Sequence, residues 1–182
     1  MMQIKPADDA AAAGWLLCAD VDWWDLVRYG PPGFDAYVRI AFDPDGNQEH
    51  SRVRQALRML SEHTSTPDHG YAAIWEGWGG QPNPTAPVVP IPHRTMLLFT
   101  GPVEILSDTP SLAWYGYPGQ GAEPHLVWPR DQAWCLACEV DEEIEFSVGC
   151  SGAASQALAE SLPGAVRRVY YGEPAPLYDE SD

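Results

Sequence analysis

A chain of 182 residues with 45% hydrophobic and 20% charged side chains has enough apolar matter for one real core, and none of its apolar runs approaches the roughly 18 residues of a membrane helix. Its 26 acids against 10 Lys and Arg give a formal charge of -16, which argues against a nucleic-acid or anionic-membrane surface, since both need a basic footprint. That field suits a basic protein or a cationic ligand, and plain solubility is the competing reading.

The opening Met-Met-Gln-Ile-Lys-Pro-Ala-Asp-Asp lacks the basic region and apolar stretch of a secretory signal, so a cytoplasmic location is expected. Asp9 to Ala19 predicts a short helix weakened by Gly14. Asp20 or Asp22 then caps a helix through Trp23, Trp24, Leu26 and Val27, which Gly30 and the following Pro31 and Pro32 end. Trp23, Leu26 and Val27 share the face that should pack on the core. Phe34 to Phe42 alternates, with Ala36, Val38, Ile40 and Phe42 on one side and Tyr37, Arg39 and Ala41 on the other, which predicts a half-buried strand. After the Asp43-Pro-Asp-Gly turn, Glu49 to His63 carries Val53, Ala56, Leu57 and Leu60 at the spacing of one helix face, with Arg52, Arg58 and Glu62 outside.

Tyr71 to Glu76 reads as a second strand, entering Gly77-Trp78-Gly79-Gly80. The prolines between Gln81 and Pro92 predict an extended surface loop. Arg94 to Thr100, apolar on both faces, predicts a central strand, and Val103 to Leu106 a helical turn. Thr109 to Glu123 is irregular. Leu126 to Trp128, Ala133 to Val140 and Ile144 to Val148 then follow as successive strands at the middle of the sheet. Ser151 caps a helix through Ala154, Leu158 and Leu162 that stops at Pro163-Gly164, and Arg167 to Tyr171 predicts an edge strand.

This order gives an α+β fold: residues 1–172 as a single domain with a mostly antiparallel sheet and helices packed on it, and residues 173–182 as an acidic, mobile tail. Cys135 and Cys138 form a Cys-x-x-Cys, but three positions apart on a strand they should point to opposite faces. No second ligand pair stands at zinc spacing, so reduced thiols, no metal and no cofactor are expected.

Several stretches, Arg28-Tyr-Gly-Pro-Pro-Gly-Phe-Asp-Ala-Tyr-Val-Arg-Ile, Trp75-Glu-Gly-Trp-Gly, Pro92-His-Arg, Phe99-Thr-Gly-Pro, Trp128-Pro-Arg-Asp-Gln-Ala-Trp-Cys and Gly149-Cys-Ser-Gly, resemble a group of actinobacterial proteins without an established activity. The resemblance spans most of the chain and implies a single intracellular bacterial domain. It supplies no catalytic residue.

Neither a phosphate loop, nor Gly-x-Ser-x-Gly, nor His-Glu-x-x-His occurs, so no familiar enzyme is signposted. Two site readings follow. In the interaction reading, Trp75, Glu76, Trp78, Trp114, Tyr115, Tyr117, Trp128 and Arg130 lie beside turns, where indoles and phenols can anchor a basic protein inside an acidic rim, whereas Trp23 and Trp134 suit the core. In the pocket reading, Arg39, Glu76, His93, Arg94, Glu139 and Asp141 stand at strand ends and line a small-molecule site. Glu139 and Asp141 would then share a strand face as a metal-binding or acid–base pair. The plainer alternative makes those two carboxylates the polar end of a strand.

Overall fold

A computed structural model describes residues 3–44, 51–78, 86–109, 112 and 124–178. Among these residues nine strands form one antiparallel sheet: β1 (Lys5–Pro6), β2 (Ala36–Ala41), β3 (Gly70–Trp75), β4 (Val88–Val89), β5 (Met96–Gly101), β6 (Leu126–Pro129), β7 (Cys135–Ala137), β8 (Glu145–Cys150) and β9 (Val166–Val169). Their spatial order is β1-β5-β3-β6-β7-β8-β2-β9, with β4 also pairing β5. The fold is α+β in a single domain. The β6-β7-β8 meander lies at its middle, where the unbroken apolar runs of that region belong.

Among the described residues four α-helices cover the two faces: α1 (Gly14–Leu17), α2 (Trp23–Tyr29), α3 (Arg52–Ser61) and α4 (Gly152–Ser161). One layer is built from α3, α4 and the 3-10 turn Val103–Asp108. Val53, Ala56, Leu57 and Leu60 of α3 pack there on Val38, Val127, Leu136 and Phe146. Ser51 caps α3 by accepting from Arg54 N, and Ser151 caps α4 by accepting from Ala154 N at 3.1 Å, so both starts follow ordinary hydroxyl capping. Residues 45–50, where the α3 pattern was expected to begin, lie outside the described residues. The opposite face is covered by α1, α2 and the segment before them, packed on Ala73, Leu98, Leu126, Trp128 and Cys135. Asp22 caps α2 at Trp24 N (2.8 Å), and Gly30 ends it with a φ of 74°, a conformation that disfavours a side chain.

Four expectations are corrected. Strand β2 is buried on both faces rather than half-buried, because α2 and the Tyr29–Tyr37–Tyr171 cluster cover the side that carries Arg39. The proline-rich stretch is not wholly a loop. Val88 and Val89 pair with β5, and Leu98 N donates to Pro87 O at 2.9 Å, since a proline lacks the donor but keeps its carbonyl. Strand β5 is buried yet lies near one margin of the sheet, next to the two-residue strands β1 and β4. The strand expected to reach Val140 stops at Ala137, where the Glu139–Glu142 turn takes over (Glu142 N to Glu139 O, 3.0 Å). The tail is tied to the body over part of its length: Tyr29 Oη donates to Glu173 O, Arg28 donates to Ala175 O, and Glu143 N donates to Leu177 O at 3.0 Å.

The cysteine geometry agrees with alternation. Cys135 belongs to the α1–α2 face and Cys138 to the α3–α4 face, and burial pushes the Cys135 thiol up. Because Leu57 is wholly buried, Leu57→Asp would place an unpaired carboxylate in the core at a cost of several kcal/mol, against a typical total stability of about 5–15 kcal/mol. The expected outcome is loss of a cooperative melt by circular dichroism. A folded variant of near-native melting temperature would remove α3 from the core.

Candidate functional site

Arg39 sits mid-strand with 0% exposure, on the face turned toward α2. Its register partner on β8 is Ser147, so Nη1 donates to Ser147 Oγ at 2.8 Å. The turn after β7 brings in Glu142, whose Oε1 accepts from Arg39 Nη2 at 2.7 Å and from Arg28 Nε at 2.8 Å. Glu145 binds Arg39 Nε at 3.0 Å and is also held by Arg167 at 2.9 Å. Burial opposes the charge on Arg39, but Glu142 and Glu145 outweigh it and hold the guanidinium above its ordinary pKa. Burial likewise opposes charge on Glu145, and hydrogen bonds from Arg167 and Arg39 hold that carboxyl below its ordinary value.

The Glu142 Oε2 atom accepts from Glu139 N at 3.2 Å and so joins this network to a second one. There Arg94 pairs with Glu139 through Nε and with Asp141 through Nη2 at 3.1 Å. The Arg94 guanidinium lies 5.7 Å from the ring centres of both Trp23 and Trp75. Trp23 in turn meets Trp24 edge-on at 5.3 Å and His93 at 5.2 Å. His93 has a φ of 60°, which turns its ring toward α2 at the entry to β5.

The pocket-reading residues therefore meet a mixed fate. His93, Arg94, Glu139 and Asp141 come together, and Glu76 follows Trp75 at the patch edge, its N donating to Thr95 O at 3.1 Å. Arg39 touches them only through Glu142. Both carboxylates of the supposed pair bind one guanidinium, and their meeting comes from a turn rather than from a shared strand face. Among the described residues no group of His, Cys, Asp and Glu is placed to hold a metal.

Of the interaction-reading residues, Trp75 is half-buried and Glu76 exposed in this patch. Trp128, expected as an exposed anchor, is corrected to a core residue with 1% exposure, because α1 lays Trp15 against it at 6.1 Å. Arg130 is exposed but stands beyond β6, at the end of the strand. Trp114, Tyr115, Tyr117 and the side chain of Trp78 lie outside the described residues. Trp134 is core, its Nε1 donating to Leu60 O at 2.9 Å, whereas Trp23 is only half-buried. The signal for Trp23 was present: adjacent indoles at positions 23 and 24 in the first turn of a helix cannot both face inward. Arg28, Glu142 and Trp24 carried no signal pointing to this cluster.

No family model, curated protein or solved structure matches this chain.

Two outcomes test the electrostatics. With both side chains of the Arg39–Glu142 pair at 0% exposure, Glu142→Gln should cost about 3–5 kcal/mol in chemical denaturation, whereas Arg167→Ala, at a half-exposed pair, should cost less than about 1 kcal/mol. His125 bridges β3 and β7, its N donating to Ala73 O (3.0 Å) and its O accepting from Cys138 N (2.7 Å), and burial lowers its pKa from 6.5 to about 4. Between these values the unfolded chain holds the extra proton, so stability should fall as pH drops through that window, by about 3 kcal/mol at its foot. Melting temperatures from about pH 7 to about pH 4.5 should decline less steeply in His125→Gln than in the native chain.

Proposed function

We propose that this is a non-enzymatic binding module of the bacterial cytoplasm, of immunity or regulatory type, that receives a basic protein on the face formed by Trp23, Trp24, Trp75, His93 and Arg94. The observation that carries the reading is the half-buried pair of indoles, Trp23 and Trp75, each 5.7 Å from one guanidinium that Glu139 and Asp141 already neutralise. Tryptophan and arginine are enriched among hot spots, and rings held in place by a shared guanidinium lose little further freedom when a partner covers them. Asp22 and Glu76 are exposed acids next to Trp23 and Trp75 in the chain, and the exposed Asp141 binds Arg94, an acidic rim suited to a cationic partner. The charge of -16 would then act mainly on the encounter rate, with the aromatic contacts setting the lifetime. An acid–base role for Glu139 is disfavoured by its engagement with Arg94.

Affinity capture with the full chain, followed by association and dissociation kinetics on whatever is retained, tests this reading. The expected result is a stoichiometric basic protein whose association slows steeply with salt and which leaves Trp75→Ala about 30-fold faster or more. Gly77→Ala provides a second variant, since a Cβ there would overlap the Trp75 indole and displace it. Capture of no protein, or of one that dissociates from Trp23→Ala and Trp75→Ala at the native rate, would overturn the proposal.

A further inference from the structure

The ends of β3, β5 and β6 build a different surface. Tyr71 is in register with Thr100 on one side and Trp128 on the other, so these three side chains form one row across the sheet. Tyr71 and Trp128 are stacked, with an interplanar angle of 29° and ring centres 5.7 Å apart. One row further out, Arg130 N donates to His69 O at 2.9 Å, which sets those residues opposite each other on the same face, and the His69 ring lies 5.3 Å from that of Tyr71. The N-terminal segment crosses above, anchored by Ala7 N donating to Leu98 O at 3.0 Å, and brings Asp8 over the row. Between them lies a cleft of about 370 Å³, beside a second of about 250 Å³ that shares Asp8, His69 and Thr100. The larger volume lies in the range of small-ligand sites. At its lip Gln132 adopts a φ of 58°, a conformation that non-glycine residues keep only where the surroundings enforce it.

Charge separates this cleft from the Arg94 cluster. Arg28, Arg39, Arg94 and Arg167 are all ion-paired, whereas among the described residues neither Asp8 nor Arg130 has an ion-pair partner. A planar cation, an acid and an aromatic wall thus stand around one volume with their bonding capacity unused. A guanidinium matches a carboxylate through two parallel hydrogen bonds, an exposed carboxylate takes an ammonium, and a tyrosine face backed by an indole takes a flat apolar group.

We propose that the cleft binds a small zwitterion bearing a carboxylate, an ammonium and a flat apolar group, which is the chemistry of an aromatic α-amino acid. Arg130 takes the carboxylate, Asp8 the ammonium, and Tyr71 backed by Trp128 the side chain. The site shares no residue with the Trp23–Trp75–Arg94 face and does not depend on the protein-binding reading.

Calorimetric titration of the full chain with L-phenylalanine, 3-phenylpropionate and 2-phenylethylamine separates the three contacts. Phenylalanine should bind saturably with one site per chain, and each half-ligand about tenfold more weakly or less, as expected for loss of a charge-assisted contact. Arg130→Gln should weaken phenylalanine and phenylpropionate by about tenfold and leave phenylethylamine unchanged, while Asp8→Asn should weaken phenylalanine and phenylethylamine and leave phenylpropionate unchanged. Both positions are exposed, so both variants should keep the native melting temperature. Absence of saturable phenylalanine binding at millimolar concentration would overturn the proposal. Binding that neither variant alters, or that is equally tight for a half-ligand, would do the same.

Discussion

The fold turns on a cation in the middle of a strand. Arg39 lies where both faces of the sheet are covered, and a guanidinium there requires acceptors on every side. Ser147 and Glu145 come from the neighbouring strand by register, but Glu142 comes from a turn, and that turn must reach Arg39 from the β7 side. This explains why β7 stops after three residues although its apolar pattern runs further: residues 139–142 bend across the sheet end to deliver a carboxylate. The same carboxylate binds Arg28, so α2 is drawn onto this face, and Arg28 and Tyr29 in turn bind carbonyls of the tail. Buried ion pairs often give little net stability once desolvation is counted. Their effect here is on arrangement. A one-residue slip of β2 would send Arg39 into the apolar layer of α3 and α4 and leave Glu142 without its partner, so the pair fixes the register of β2 against β8.

Satisfying that cation also shapes the surface. Glu139 is held by its backbone N–H on Glu142 and by its side chain on Arg94, and Arg94 carries Trp23 and Trp75 on its two sides. A chain of contacts therefore leads from the sheet interior to two half-buried indoles. With each carboxylate of this chain bound to an arginine, proton transfer or metal binding would first have to break an ion pair. Holding an aromatic surface in one conformation requires no such break.

What could be read from the sequence divides by distance along the chain. Helix α3 was legible because its apolar spacing is local, and the serine caps of α3 and α4 are adjacent to the turns that they start. The crossing of Cys135 and Cys138 to opposite faces was legible from strand alternation alone. Burial of β2 was not, since Tyr37 and Arg39 look like a solvent face until Glu142, 103 residues downstream of Arg39, is known to bind that guanidinium and Tyr171 to pack on Tyr37. Trp128 had the local marks of an exposed indole beside a proline, and only the return of α1 across it makes it core. The acids Glu139 and Asp141 meet Arg94 through a turn, not along the strand face that their spacing suggested. The row Thr100–Tyr71–Trp128 depends on strand order, which no local pattern encodes.

Both surfaces draw on the same N-terminal layer. Asp8 roofs the strand-end cleft, Trp23 and Trp24 supply the aromatic face, and Trp15 between them packs on Trp128. The two ends of this layer are not held alike. At the α2 end, Arg28 has a buried carboxylate and Gly30 O accepts from Tyr171 Oη at 2.8 Å. Toward the cleft, the two-residue strand β1 and the Ala7–Leu98 hydrogen bond hold the chain, and the buried Trp15 Nε1 has no hydrogen-bond partner among the described residues. A two-residue strand is a short anchor, so local opening is least costly at the segment before α1. A ligand bridging Asp8 and Arg130 would join that segment to the end of β6 and reinforce the layer there. The α2 end is fixed by Arg28 whether or not the cleft is filled, which leaves the aromatic face formed in both states.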